Sequence, residues 1–210
     1  LKYPGCDLEC ARQVERIIRR EMPETVAAFL DVPIPASAFI PPPEYWPMVR
    51  SICDKYGILL ILDCVQSGFG RFGKMFACEH DGITPDVMPI AKAVGGIGIP
   101  LSGCVIKKTF DSWEPGGHLG TFRGNVLACV AGFEAINFTL QKGLVERSAR
   151  EGAHMMKRLK DLQQETRTIG EVRGKGLMVA AEFVEDKRTK KPAVELVKKI
   201  QLRCLERGVL

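Results

Sequence analysis

No C-x-x-C and no paired Cys/His spacing occurs among the eight cysteines and three histidines of this 210-residue chain. A structural zinc site needs such clustering, so no metal site is expected. The cysteines at 6, 10, 53, 64, 78, 104, 129 and 204 are scattered. Several lie in apolar runs such as SGCVI and LACVAG, where a free thiol behaves as a small hydrophobe. That usage suits a reducing compartment better than a secreted disulfide scaffold. No run approaches the ~18 apolar residues of a membrane span, and no signal-peptide pattern opens the chain. The expectation is a cytoplasmic protein with no membrane partner, the mitochondrial matrix being the alternative. Repeats and low-complexity segments are also missing. The chain starts LKYPGCDLEC without methionine and ends on Leu210 directly after a helix-like segment, so a piece of a longer protein is expected.

What is present is an ordinary globular composition, 46% hydrophobic and 26% charged. The net charge of +5 is uneven. Residues 1–141 carry 13 basic against 15 acidic side chains, and residues 142–210 carry 17 against 10. In that basic tail the signs alternate along amphipathic segments with no aromatic interleaving. This describes a solvated helix face rather than a nucleic-acid surface, and no nucleic-acid partner is expected.

Periodicity divides the chain further. LECARQVERIIRREM and EYWPMVRSICDKYG read as amphipathic helices, the second stopped by Gly57. TVAAFLDV, ILLILD, DVMPIAK and SGCVI read as strands. ILLILD is apolar throughout, as suits a central parallel strand covered on both faces. NVLACVAGFEAINFTLQKG is a helix capped by Asn125, and a second long helix, LVERSAREGAHMMKRLKDLQQE, follows it. TIGEVRGKGLMVAAEFV reads as a turn and a strand, and PAVELVKKIQLRCLERG as a closing helix. Alternating helix and strand predicts α/β with a mostly parallel sheet over residues 1–141, and a smaller unit from 142 to 210.

Residues 59–74, LLILDCVQSGFGRFGK, invite a nucleotide-binding assignment that context rejects. Gly68-Phe-Gly70-Arg-Phe-Gly73 fits G-x-G-x-x-G, but five residues separate its first glycine from the strand and no crossover helix follows. Read as a P-loop, it lacks the Ser or Thr after lysine, because Met75 follows Lys74. Asp63 nevertheless stands at the carboxyl end of a buried strand, where open α/β sheets place their ligands. Lys92 closes the next strand beside AVGGIGIP, where desolvation would expose a nucleophilic amine. Thr121 precedes Asn125 and a helix N-terminus, a usual phosphate position. Acid, lysine and helix-opening threonine are the parts that hold pyridoxal phosphate. Asp63 and Lys92 are expected to converge on one cleft at the ends of neighbouring strands. His80, His118 and His154 lack any partner pattern and read as structural.

The segments PPPEYWPMVRSICDKYGILLILDCVQSGFGRFGKMFACEHDGITPDVMPIAKAVGG, GGHLGTFRGNVLAC and IGEVRGKGLMVAAEFV resemble the class III aminotransferases, fold-type-I pyridoxal-phosphate enzymes. The resemblance implies an incomplete three-layer α/β cofactor-binding domain in residues 1–141. The start of a small α+β carboxyl-terminal domain would occupy 142–210. It also implies transamination between an amino acid or ω-amine, as in 4-aminobutyrate and ornithine transamination, and a 2-oxo acid. Lys92 would be the Schiff-base lysine and proton shuttle, and Asp63 would pair with the pyridine nitrogen. Val65 would pack on the ring and Gln66 would reach its hydroxyl. Thr121 would contact the phosphate of the other subunit's cofactor, which implies a homodimer with GGHLGTF at the interface rather than in its own subunit's cleft. The glycine loop would then shape the active-site floor.

Three positions depart from the family pattern. Cys64 stands where glutamate is usual in Asp-Glu-Val-Gln, and Val32 where glutamate is usual in Glu-Pro-Ile; the second of these glutamates lies near the substrate. Phe72 replaces the usual threonine after Arg71. The family's amino-terminal phosphate loop, its stacking aromatic and its carboxylate-binding arginine match nothing in these 210 residues, so the chain alone is expected to be inactive. The alternatives are a non-catalytic remnant or binding module of the same fold, and a decarboxylase or lyase of the same family.

Overall fold

A computed structural model describes residues 3–96 and 98–210. Helix α1 (Glu9–Arg20) and helix α2 (Tyr45–Tyr56) flank strand β1 (Ala28–Asp31) in sequence, and strand β2 (Leu59–Leu62) follows α2 directly. The apolar stripe of α2 is the one its 3.6-residue period indicates: Trp46, Val49, Ile52 and Cys53 are all buried. Gly57 ends the helix in a left-handed cap, and Ile58 then enters the sheet. Together with Ala11 and Ile18 of α1, this stripe packs on Leu60 and Leu62, both wholly buried. Leu59 and Ile61, on the opposite face of the pleat, are half-buried. Within the described residues, therefore, helices fully cover only one face of the strand expected to be covered on both.

The sheet has the order β1-β2-β3-β4, with β3 at Val87–Ile90 and β4 at Gly103–Ile106. The first three strands are parallel and β4 is an antiparallel edge, giving the mixed α/β sheet expected of an incomplete large domain. β1 and β2 pair over four residues, Ala28↔Leu59 to Asp31↔Leu62. The β2–β3 ladder is much thinner, with Ile61↔Val87 its one paired position. Pro89, in the middle of β3, has no N–H to donate, which is why a proline is uncommon in an interior strand.

A side chain reinforces that weak seam. Asp86, just before β3, takes the Leu60 N–H at 2.7 Å on Oδ2, and its own N–H donates to the Leu60 carbonyl at 2.8 Å. Arg50 of α2 donates from Nη1 to the same Oδ2 at 2.7 Å, and Lys107, just past β4, donates from Nζ to Oδ1 at 2.5 Å. One buried carboxylate thus joins α2, β2, β3 and β4. Burial by itself pushes this carboxyl up, but Lys107, the Leu60 N–H and Arg50 outweigh it and hold it below its ordinary 3.8.

The chain continues through helix α3 (Val126–Gln141), capped as expected by Asn125, whose Oδ1 accepts the Ala128 N–H at 3.0 Å. Helix α4 (Leu144–Glu165) then packs on a second, two-stranded antiparallel sheet of β5 (Ile169–Lys175) and β6 (Met178–Phe183). Periodicity predicts a turn and one strand for this stretch. It is a hairpin, because the chain reverses at Gly176-Leu177 and both limbs have the length to pair. Helix α5 (Val194–Glu206) closes the chain against β6.

Removing a partner from a buried ion pair costs about 3–5 kcal/mol. With Lys107 half-exposed, Asp86→Ala is expected to lie near the lower end, about 3 kcal/mol by urea unfolding. The pH dependence has a definite sign. A lowered folded pKa stabilises fully above the unfolded value of 3.8, and that stability disappears as pH falls through the folded value. The stability difference between wild type and Asp86→Ala should therefore be flat from pH 5 to 7 and shrink below about pH 4.

Candidate active site

The glycine loop has a packing role that the sequence did not reveal. Gly73 has φ +79, and a Cβ there would lie 2.9 Å from Ala149 Cβ and 3.0 Å from its Cα, on α4. Gly152 of α4 meets the hairpin turn so closely that a Cβ would overlap the Gly176 carbonyl. The Arg71 carbonyl accepts the Ser148 hydroxyl at 2.9 Å and the Leu177 N–H at 2.9 Å. Loop, α4 and hairpin are therefore held backbone to backbone, and none of residues 68–74 lines the main cleft described below. The resemblance implies that this loop shapes an active-site floor, and that cleft, which Asp63 does not line either, leaves the expectation as it stands. Gly73 of the loop also allows close approach between elements.

Two of the three family departures fall in the core. Phe72 is buried with Ile34 and Ala77, and Ile40 and Met178 pack against them. Cys64 is wholly buried. Because successive side chains alternate across the pleat, the residue after Asp63 turns away from it. Val32 is half-buried, its N–H donating to Asp31 Oδ1 at 2.7 Å. His80 is structural as expected, its Nε2 lying 2.9 Å from the Phe72 carbonyl oxygen.

Asp63 directly follows β2, and Lys92 comes two residues after β3. Both residues thus stand at the carboxyl ends of neighbouring parallel strands. The Cys64 N–H donates to the Pro89 carbonyl at 3.0 Å, tying the two strand exits together. Asp63 Oδ1 accepts the Val65 N–H at 2.8 Å, and Oδ2 has no partner among the described residues. Val65 and Gln66 are half-buried in the turn that follows.

Lys92 has φ +53, a left-handed backbone that a lysine adopts only when its surroundings impose it. It opens the short turn Lys92–Gly95, against which α3 packs. Its side chain is exposed rather than desolvated, contrary to expectation, because the described walls leave it open to solvent. Lys92 lines a cleft of about 930 Å³ with Ser102, His118, Thr121, Arg123 and Asn125. Among the described residues that line it, Lys92 and Arg123 are the charged side chains and none is an acid, so the cleft favours an anion at the start of α3. Thr121 thus shares a cleft with Lys92 of its own chain, whereas GGHLGTF was expected to lie away from that cleft. Asp63, Val65 and Gln66 do not line it. His118, read as structural, lines the cleft and stacks on Trp113 at 5.9 Å between ring centroids. Arg123 was missed; its place three residues after Gly120 at a helix entry was the available signal.

The model of the class-III aminotransferases matches residues 5–210. This chain belongs to that family. Over 210 residues it is 40% identical to a leucine/methionine racemase of Thermococcus litoralis, covering 98% of this chain and 47% of that protein. It is 39% identical to a 5-aminovalerate aminotransferase of Pseudomonas aeruginosa, covering 94% and 47%. A solved Bacillus anthracis aminotransferase superposes with a TM-score of 0.91 at 34% identity, covering 99% of this chain and 50% of that one. The chain spans about half the length of the curated relatives it matches. Pyridoxal 5'-phosphate is the cofactor of this family. The donor set of this class III chain fits it, with one primary amine in a basic cleft whose described lining residues include no acid and, outside that cleft at the neighbouring strand exit, one carboxylate oxygen left open.

Gly73→Ala and Gly82→Ala separate contact from backbone strain, because Gly82 has a similar φ of +65 with open space around it. Gly73→Ala is expected to lower stability by about 1 kcal/mol more than Gly82→Ala, the excess measuring the Ala149 contact in thermal unfolding.

Proposed function

We propose that this chain supplies the lysine and the ring-pairing acid of a pyridoxal-phosphate-dependent transaminase that moves an amino group from an amino acid or ω-amine to a 2-oxo acid. The observation that carries the reading is the placement of Asp63 and Lys92 at the carboxyl ends of adjacent parallel strands. When bound, the cofactor supplies an electron sink for carbanion chemistry. Lys92 Nζ is the attachment point and moves the substrate proton. Asp63 Oδ2 holds a proton on the pyridine nitrogen, Val65 packs on the ring face and Gln66 orients the ring hydroxyl. Thr121, although it lines the cleft of Lys92 in its own chain, would reach the phosphate of a partner subunit's cofactor in a homodimer. Residues 1–141 belong to the cofactor-binding domain and 142–210 to the small domain, and the protein works in the cytoplasm.

A second reading, amino-acid racemisation, is favoured by the 40% identity to the leucine/methionine racemase. Both chemistries use the same lysine, and they differ in whether a 2-oxo acid is released.

In the whole protein, borohydride should fix pyridoxal phosphate on Lys92, located by peptide mapping. Lys92→Ala should remove both the yellow band and turnover. Asp63→Ala should still bind cofactor weakly while losing about 100-fold or more in rate, since electrostatic stabilisation of this kind is worth that much. The isolated 210 residues, with Lys92 exposed, should turn nothing over. A borohydride-fixed adduct on another lysine would refute the assignment, and inversion of leucine without 2-oxo acid release would favour the racemase reading.

A further inference from the structure

The backbone seam between the strand that ends before Asp63 and the strand that ends before Lys92 is the thinnest in the four-stranded sheet. β2 and β3 share one paired position, and Pro89 removes a donor from the middle of β3. Two contacts bracket this gap. On one side Asp86 grips both backbone groups of Leu60, and on the other the Cys64 N–H reaches the Pro89 carbonyl. Leu60 lies three residues before Asp63, and Asp86 six before Lys92. A strand with so few ladder bonds has weakly specified register, and a one-residue slip would carry Lys92 to the other face of the sheet.

We infer that Asp86 is a positioning residue for Lys92: its carboxylate holds β3 in register with β2 and so fixes the lysine relative to Asp63. This rests on the roles proposed above for Lys92 and Asp63. Asp86 touches neither the cleft nor any reacting atom, and it acts through the strand. Its three side-chain partners come from three different elements, so the start of β3 is held from several directions at once. Arg50 Nη1 lies 2.7 Å from its Oδ2, the Leu60 N–H 2.7 Å from the same oxygen, and Lys107 Nζ 2.5 Å from Oδ1. Arg50 is itself committed, with Nη2 2.7 Å from Asp54 and its buried Nε without a partner among the described residues. Asp54, which pairs with the other arm of Arg50, is exposed on α2. Displacements of about 1 Å in reacting groups are enough to cost on the order of 100-fold in rate.

The test compares wild type, Asp86→Asn, Lys107→Met and Asp54→Asn in the whole protein. Asparagine keeps the shape but loses the charge that Arg50 and Lys107 pair with. Amide exchange at Cys64 reads the β2–β3 seam without any cofactor. The pH titration of the lysine-bound cofactor's absorbance and the split between kcat and KM read where Lys92 sits. Expected for Asp86→Asn are Cys64 exchange faster by about tenfold or more, a shifted absorbance titration, and kcat lowered by about tenfold to 100-fold with KM changed less than about twofold. Lys107→Met, which removes one arm, should move the same readouts less and serves if Asp86→Asn does not fold. Asp54→Asn, which loosens only the exposed arm of Arg50, should move none. Unchanged Cys64 exchange would overturn the inference. So would faster exchange accompanied by a wild-type titration and kcat, because the carboxylate would then be merely structural. If wild type itself fixes no cofactor on Lys92, the proposed function fails, and the exchange data alone then decide whether Asp86 sets the register.

Discussion

The carboxylate of Asp86 is the contact on which the sheet depends. Hydrogen-bonded backbone holds β1 to β2 over four residues, and β3 to β4 over four more. Between these two pairs the ladder nearly lapses, and a buried acid with partners on α2, on β2 and just past β4 closes it. A buried charge is costly unless each oxygen is satisfied, and both oxygens here are. The arrangement gains geometric definition where backbone pairing is scarce, at the strand that delivers the lysine.

Above that seam the site is assembled from strand exits. Parallel strands send their carboxyl ends to one edge, so a residue just past β2 and another just past β3 leave the sheet on the same edge although 29 positions separate Asp63 from Lys92 in sequence. The left-handed backbone at Lys92 and the packing of α3 on the following turn hold the lysine at the mouth of a basic cleft. The field in that cleft comes from Lys92, Arg123 and the amino end of α3, with no acid opposing it. An anionic cofactor with an aldehyde is the ligand class such a site suits.

The two sheets meet through close backbone contact as well as side-chain packing. Gly73, Gly152 and Gly176 bring the loop after β2, helix α4 and the β5–β6 turn within a distance no Cβ would tolerate. Phe72, the bulkier residue at a position where the family has threonine, fills the small core beside this junction with Ile34 and Met178. Cys64 likewise replaces a charged residue with one that is wholly buried. Two of the three unusual positions in this class III chain are therefore packing changes rather than alterations of the cleft.

Sequence alone determined the alternation of helix and strand, the caps at Asn125 and Gly57, and the acid and lysine ending apolar strands. These features are local: 3.6-residue stripes, a left-handed cap and buried apolar runs are written in consecutive residues. It also carried the family resemblance, because the motif from Asp63 to Lys92 is contiguous. Tertiary structure decided what depends on partners distant in sequence. Only there does the glycine-rich loop become a packing surface for α4, Arg123 and His118 enter the cleft, and the final strand become a hairpin. Asp86 stood in plain view within TPDVMPIAK, yet its role needed Arg50, Leu60 and Lys107, up to 36 residues away. A charge has no periodicity, so its partners become visible only when folding brings them within hydrogen-bonding distance.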